Sequence, residues 1–195
     1  MLILLLAAQL SAPNPNPASW VKANDYPAQY VKAGRSSEVD IRATVRPNGS
    51  VQECSIEKSS GEKAFDKYNC ALLISRTKFR PATDANGQPV LGVFRTRVAW
   101  QLEDRKPQGT AGDLELTIAK LPDGLKSPAL IDVALAVDST GQPTDCANAK
   151  QDQNAVLVKA ACAQLVRSYR AFPARSPTGE RVPSVQTAQV TFLSP

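Results

Sequence analysis

EVDIRATVRPNGSVQECSIE, residues 38–57, alternates apolar and polar side chains up to a tight turn and then doubles back. Val39, Ile41, Ala43 and Val45 fall on one side, and Asp40, Arg42, Thr44 and Arg46 on the other. A period of two is the pattern of a strand with one face buried. Asn48-Gly49 accepts the positive φ angles of a hairpin turn. SVQECSIE then reads as the returning strand, with Cys54 near its centre.

Working outward, the same pattern returns 92 residues later without a gap. Asp40 lands on Asp132, Val45 on Val137, Gly49 on Gly141 and Lys58 on Lys150. Lys67 lands on Lys159, Ala71 on Ala163, Leu73 on Leu165, and Pro81-Ala82 on Pro173-Ala174. Gly87, Val90, Val93 and Val98 land on Gly179, Val182, Val185 and Val190. Chance does not hold one register over so long a stretch, so the chain contains one unit twice. In the second copy Ile131, Val133, Leu135 and Val137 form the apolar face.

After each hairpin comes a helical stretch. In SSGEKAFDKYNCALLISR, Ser59 or Ser60 is the expected cap, and Phe65, Tyr68, Ala71, Leu72 and Ser75 share a stripe. NAVLVKAACAQLVRSY places Leu157, Ala161 and Leu165 at similar spacing. A break at Pro81-Ala82 and a turn at Asn86-Gly87 lead into a long strand. There Phe94, Thr96, Val98 and Trp100 share one face, and Arg95 and Arg97 the other. Ahead of the first unit, YPAQYVKAG reads as a short helix ending at Gly34. The expected fold class is α+β, with two tandem units, each a three-stranded antiparallel sheet with helices on one face.

Composition narrows function. The chain of 195 residues has no histidine, which removes Ser-His-Asp and Cys-His catalysis and histidine-based zinc sites. The net charge is +5, and all the excess sits in residues 1–100, with 13 Lys/Arg against 8 Asp/Glu; residues 101–195 hold 10 of each. Those charges are interspersed and aromatics are few, so no nucleic-acid partner is expected. No cofactor, metal or small-molecule substrate is indicated.

MLILLLAAQLSA, residues 1–12, is apolar, uncharged and too short to span a bilayer as a helix. It fits the apolar core of a secretory signal, although the usual positive lead is missing. The alternative is a buried N-terminal strand or helix. PNPNPAS, which follows, reads as a spacer outside the core.

The four cysteines, Cys54, Cys70, Cys146 and Cys162, form two pairs with one spacing, 16. No base or cation is placed to activate a thiolate, and sixteen is a poor zinc spacing. Four cysteines allow three pairings. Repeat symmetry selects Cys54–Cys70 and Cys146–Cys162, a strand-to-helix staple in each unit. Disulfides and an export signal point to the same compartment.

Tyr26-Pro27, the Asn-Gly hairpin, the Ser-Ser-Gly before a helix and KFRPATDANGQPV before an aromatic-ended strand together resemble the C-terminal domain of the TonB family, in a cysteine-bearing branch. The resemblance covers about residues 20–102. Residues 125–194 keep the glycine, both cysteines, Phe172-Pro173-Ala174 and Gly179, but lack the Tyr-Pro helix and the Ser-Ser-Gly. The division this implies is a signal at 1–12, a spacer at 13–25, one domain at 26–102, a linker at 103–124 with room for an extra strand, and a second domain at 125–195.

The resemblance implies a non-enzymatic periplasmic module that pairs with extended peptide at a sheet edge. Its partners would be segments of outer-membrane receptors or other envelope proteins, linked to TonB-dependent transport. The expected edge is the final strand of each unit, 90–101 and 182–193, and in the first Phe94, Arg95, Thr96, Arg97 and Val98. Arg95 and Arg97, with Lys78 and Arg80 nearby, read equally as charges that block an edge. The alternative function is an energy transducer anchored in the inner membrane and facing the periplasm; an exported enzyme ranks below both.

Overall fold

In the computed structural model, residues 10–16, 20–100 and 112–195 are described. The order is β1 (Asn14–Asn16), α1 (Ala28–Lys32), β2 (Ser37–Val45), β3 (Val51–Lys58), α2 (Lys63–Arg76), β4 (Lys78–Arg80), β5 (Ala82–Thr83), β6 (Pro89–Val90) and β7 (Gly92–Trp100). Then follow β8 (Leu114–Thr117), β9 (Ala129–Val137), β10 (Pro143–Asn148), α3 (Ala155–Ser168), β11 (Ala174–Arg175), β12 (Arg181–Val182) and β13 (Ser184–Leu193). The architecture is the expected α+β arrangement. No helix among the described residues is long and apolar enough to cross a membrane.

Each unit builds an antiparallel trio, β3-β2-β7 and β10-β9-β13. Both trios are shaped by one kind of turn. Gly49 N–H donates to Arg46 O, and Arg46 N–H to Ser50 O. The same two bonds recur at Asp138–Gln142, and again in the β5–β6 and β11–β12 hairpins at Asp84–Gln88 and Ser176–Glu180. In each turn only the glycine has positive φ, so Asn48 stays in the ordinary region, contrary to the two-residue turn expected from sequence. This is a longer loop with a glycine bulge. Glycine is required for a second reason at 49 and 141. A Cβ there would lie 2.1 Å from Phe79 O and 2.2 Å from Ala171 O, the carbonyls of residues whose N–H groups bond back to each glycine.

Helix α2 is rotated relative to the expected stripe. It buries Phe65, Asp66, Asn69, Leu72 and Leu73, and leaves Ala71 and Ser75 exposed. Two polar residues are buried because each has fixed partners. Trp100 Nε1 donates to Asn69 Oδ1 (3.0 Å), and Asn69 Nδ2 donates to Phe65 O (2.9 Å). Ser59 and Ser60 do not cap the helix. Their hydroxyls donate to Asp66 at 2.6 Å each, and Ser60 N–H donates at 2.9 Å. Burial alone would raise the Asp66 carboxyl, but these bonds hold it below its ordinary range. Helix α3 has a side-chain cap, Asn154, which accepts from Val156 and Leu157 N–H. The structure joins Cys54 to Cys70 and Cys146 to Cys162, with Cα separations of 5.8 and 5.5 Å. Each bond ties the outer strand of a trio to its helix.

The trios merge into one seven-stranded sheet. β13 pairs with β7 in parallel, Val185 beside Gly92 and Gln186 beside Val93, and β8 pairs in parallel with the far end of β13. Partners in register share a face. Val98 and Trp100, which pack with the α2 core, are therefore on the face opposite Ala188, Val190 and Phe192, which pack with α3. The two helices cover opposite sides of one sheet.

The bare face of each trio is covered by the other unit. Ala134, Ala136, Ala147 and Val185 pack against Ala82 and Val90 of the first unit and against Leu10. In return, Phe172 lies 5.2 Å from the Arg42 guanidinium, and Gln52 Nε2 donates to Arg175 O (2.8 Å). The stretch expected as a spacer is also built in. β1 pairs with β4, and Ser11 forms a bridge to Thr83. The expected signal lies mostly outside the described residues, but Leu10 within it is buried.

Candidate binding edges

The two final strands expected to be edges face each other. β13 is paired along β9 from Ser184 to Phe192, and its other side meets β7 and then β8. β7 is paired along β2 from Gly92 to Trp100, and its other side meets β13 only at Gly92 and Val93. Gln101 lies outside the described residues. The extra strand expected of the linker is β8, while residues 103–111 lie outside the described part.

The stretch Phe94–Val98 is occupied by side-chain contacts of its own. Phe94 packs edge-on against Phe79 with ring centres 5.0 Å apart, and Val98 is buried. Thr96 Oγ1 lies 3.4 Å from Arg97 O. Arg97 holds Asp40 through two bonds, Nε to Oδ1 at 2.6 Å and Nη2 to Oδ2 at 2.9 Å. That bond and the guanidinium charge keep the Asp40 carboxyl below its ordinary range.

Arg95 donates to Glu57 Oε2 (2.8 Å) and also bonds Asp113. Burial works against its charge, but the bond to Glu57 and the two carboxylates outweigh it, so the guanidinium is held more firmly protonated. Asp113 is the residue that sequence reasoning missed. Its carboxylate accepts from Arg95, from Tyr169 Oη (3.1 Å) and from Gln189 N–H (2.9 Å). It pins the point where β7 and β13 part. Burial, then the Asp113 charge, pushes the Tyr169 hydroxyl up to about 12. Nothing in the sequence marks Asp113, because its partners come from both units.

Among the described residues β3 and β10, at the two ends of the strand order, are paired on one side only, as are the short β8 and the Phe94–Trp100 part of β7. The two end strands are not equivalent. β10 has six residues and a register shift between Pro143 and Asp145, and Asp145 Oδ1 accepts the Cys146 N–H (2.7 Å). A side chain thus engages the strand's own backbone, as in blunted edges. β3 is longer, with eight residues. Its pairing with β2 shifts register twice, between Asp40 and Ile41 and between Thr44 and Val45, and Arg46 Nη1 donates to Val51 O at its start (2.9 Å), which leaves the stretch from Gln52 onward as the open side.

Two hollows of about 430 Å³ each accompany the sheet. One, at the seam, is lined by Asn14, Arg80, Phe94, Asp132, Lys150 and Thr187 among others. The other lies at the end of the second unit between Leu121, Pro122, Val156, Leu157 and Phe192. Among the described residues no cluster of His, Cys, Asp and Glu could hold a metal ion. Residues 22–102 match the family model described as Gram-negative bacterial TonB protein C-terminal. No curated protein matches the chain.

Proposed function

Because residues 22–102 match the TonB C-terminal family model, we propose that this protein is a non-enzymatic periplasmic binding module that takes an extended peptide at the open side of β3. The observation that carries this reading is β3 itself: eight residues, paired only with β2 among the described residues, and stapled to α2 at Cys54. An unpaired strand side is a row of main-chain donors and acceptors waiting for a partner strand. TonB-type domains are in general periplasmic, without catalytic activity, and interact with outer-membrane receptors, which supports both the compartment and the kind of partner. The second unit, with the same order of elements, is read as a diverged copy of the domain. It braces the first by taking up the start of β7.

Main-chain pairing makes a distinctive prediction. Extended peptides from outer-membrane receptors should bind the full chain, and N-methylation of alternate peptide residues should abolish binding in one phase and spare it in the other. Side-chain exchanges at outward positions should matter little. Affinity that follows side chains and ignores N-methylation would refute edge pairing.

A further inference from the structure

One extended peptide is already seated in the fold, and it is the chain's own. Residues 10–16, Leu-Ser-Ala-Pro-Asn-Pro-Asn, lie across the seam as a strap. Ser11 N–H donates to Thr83 O (3.1 Å), Thr83 N–H donates to Ser11 O (2.9 Å), and the two hydroxyls meet at 2.7 Å. Leu10 is 5% exposed, in a channel of small residues formed by Ala82, Ala134 and Val185. Pro13 lies over Gly92, where a Cβ would come within 2.8 Å of the prolyl Cγ. Asn14, Pro15 and Asn16 pair with Arg80, Phe79 and Lys78. Pro15 falls opposite Phe79, whose own N–H is given to Gly49 O.

The fit is good in shape and poor in charge. Asn14 and Asn16 stand directly across from Arg80 and Lys78, and neither cation has an acidic partner among the described residues. Arg80 also borders the seam hollow beside Asn14. The one acid lining that hollow, Asp132, is held by Lys150 and Gln189. Directly opposed side chains of opposite charge stabilise an antiparallel pair, and the strap forgoes this at both positions.

We propose that the strap occupies a second peptide site, and that its natural competitor is an extended segment of a partner protein reading aliphatic, small, small, Pro, acidic, any, acidic. The aliphatic residue fills the Leu10 channel, the proline sits on Gly92, and the two carboxylates meet Arg80 and Lys78. The strap is thereby a built-in weak competitor that such a segment displaces. This rests on the reading of the protein as a peptide-pairing module, and it takes Leu10–Ala12 as the alternative buried N-terminal segment and not as part of a removed signal; it concerns β4 and the seam, and not β3.

The test uses the full chain and three synthetic peptides, Leu-Ser-Ala-Pro-Asn-Pro-Asn and its forms with Asp or with Lys at both Asn positions. Affinity is measured together with hydrogen exchange at the Ser11 and Thr83 amides. The Asp peptide is expected to bind at least threefold more tightly than the Asn peptide and to raise exchange at Ser11; the Lys peptide is expected to be weakest. Lys78→Ala with Arg80→Ala should erase the ranking, and Arg80→Gln alone should reduce it. Equal affinities, no binding, or binding that leaves Ser11 protected would overturn the proposal. Shifts along β3 with this site silent would sink the strap site and leave the β3 reading standing. The reverse pattern would do the opposite.

Discussion

The two units close the same end of their cores in different ways. In the first, Tyr26 stacks on Trp100 at 5.1 Å, and Tyr30 meets Phe65 edge-on at 5.2 Å. Trp20 is buried in the same cluster. In the second, the counterparts of Phe65 and Trp100 are Leu157 and Phe192, and Leu121 takes the place of the tyrosines. A hollow of about 430 Å³ remains there. The buried amide changed with its partner. Trp100 needs an acceptor and has Asn69; Phe192 needs none, and the residue at the matching position is Ala161. Replacing both partners of a buried hydrogen bond by apolar groups costs little, whereas removing one leaves a polar atom stranded. At the seam face the change is of another kind: the carboxylate is kept, Gln189 stands where Arg97 does in the first unit and donates to Asp132, and the cation is supplied by Lys150.

The largest expected effect tests the aromatic end. Trp100→Ala should cost about 3–5 kcal/mol in urea unfolding, as other large aromatic truncations do. A loss below about 1 kcal/mol would mean that the first core does not depend on its cover. Trp100→Phe sharpens the point. Alone it strands Asn69 Oδ1 and should cost about 1–3 kcal/mol. Combined with Asn69→Ala it copies the second unit's arrangement, and much of that loss should return.

Next come the staples. Removing either disulfide by a pair of alanines should cost about 3 kcal/mol in the chain-entropy account, and the same in both units, because the loops have one length. Clearly unequal losses would show that the staples act on the native packing and not on the unfolded chain alone. Gly49→Ala and Gly141→Ala should each cost about 1–3 kcal/mol through positive φ, plus the clash with the facing carbonyl. A gain in stability at either would contradict the turn geometry.

The smallest effect is electrostatic and belongs to the first unit. Arg97 holds Asp40 below its ordinary value of 3.8. Its contribution is therefore full above that value and disappears as the pH falls through the lower, folded value. Asp40→Asn should remove under about 1 kcal/mol near neutrality, since the pair is partly exposed. It should also flatten this part of the acid limb of stability. An unchanged acid limb would show that the pair is idle.

Much of the fold was legible because the repeat supplied every signal twice. Period two located β2 and β9, Gly34 marked the end of α1, and equal cysteine spacing indicated which thiols meet. The face of α2 was misread because Asp66 and Asn69 look like solvent residues until Ser59, Ser60 and Trp100 are placed around them. The seam was illegible for a different reason. The parallel contact of β7 with β13, and the carboxylate of Asp113 that limits it, depend on how two units meet, and no local pattern encodes that. The strap at Leu10–Asn16 was hidden by its composition, since the four residues of proline and asparagine at 13–16 read as a spacer wherever they pair.

The central claim is that β13 and the start of β7 close the middle of the sheet, and that β3, not the open Phe94–Trp100 part of β7, is the edge proposed to receive a peptide. Amide shifts of the isotopically labelled full chain, titrated with an extended receptor peptide, test it most directly. The account predicts shifts concentrated along Val51–Lys58, with Ser184–Leu193 unmoved. Shifts concentrated at Phe94–Val98 or along Ser184–Leu193, with Val51–Lys58 silent, would contradict it.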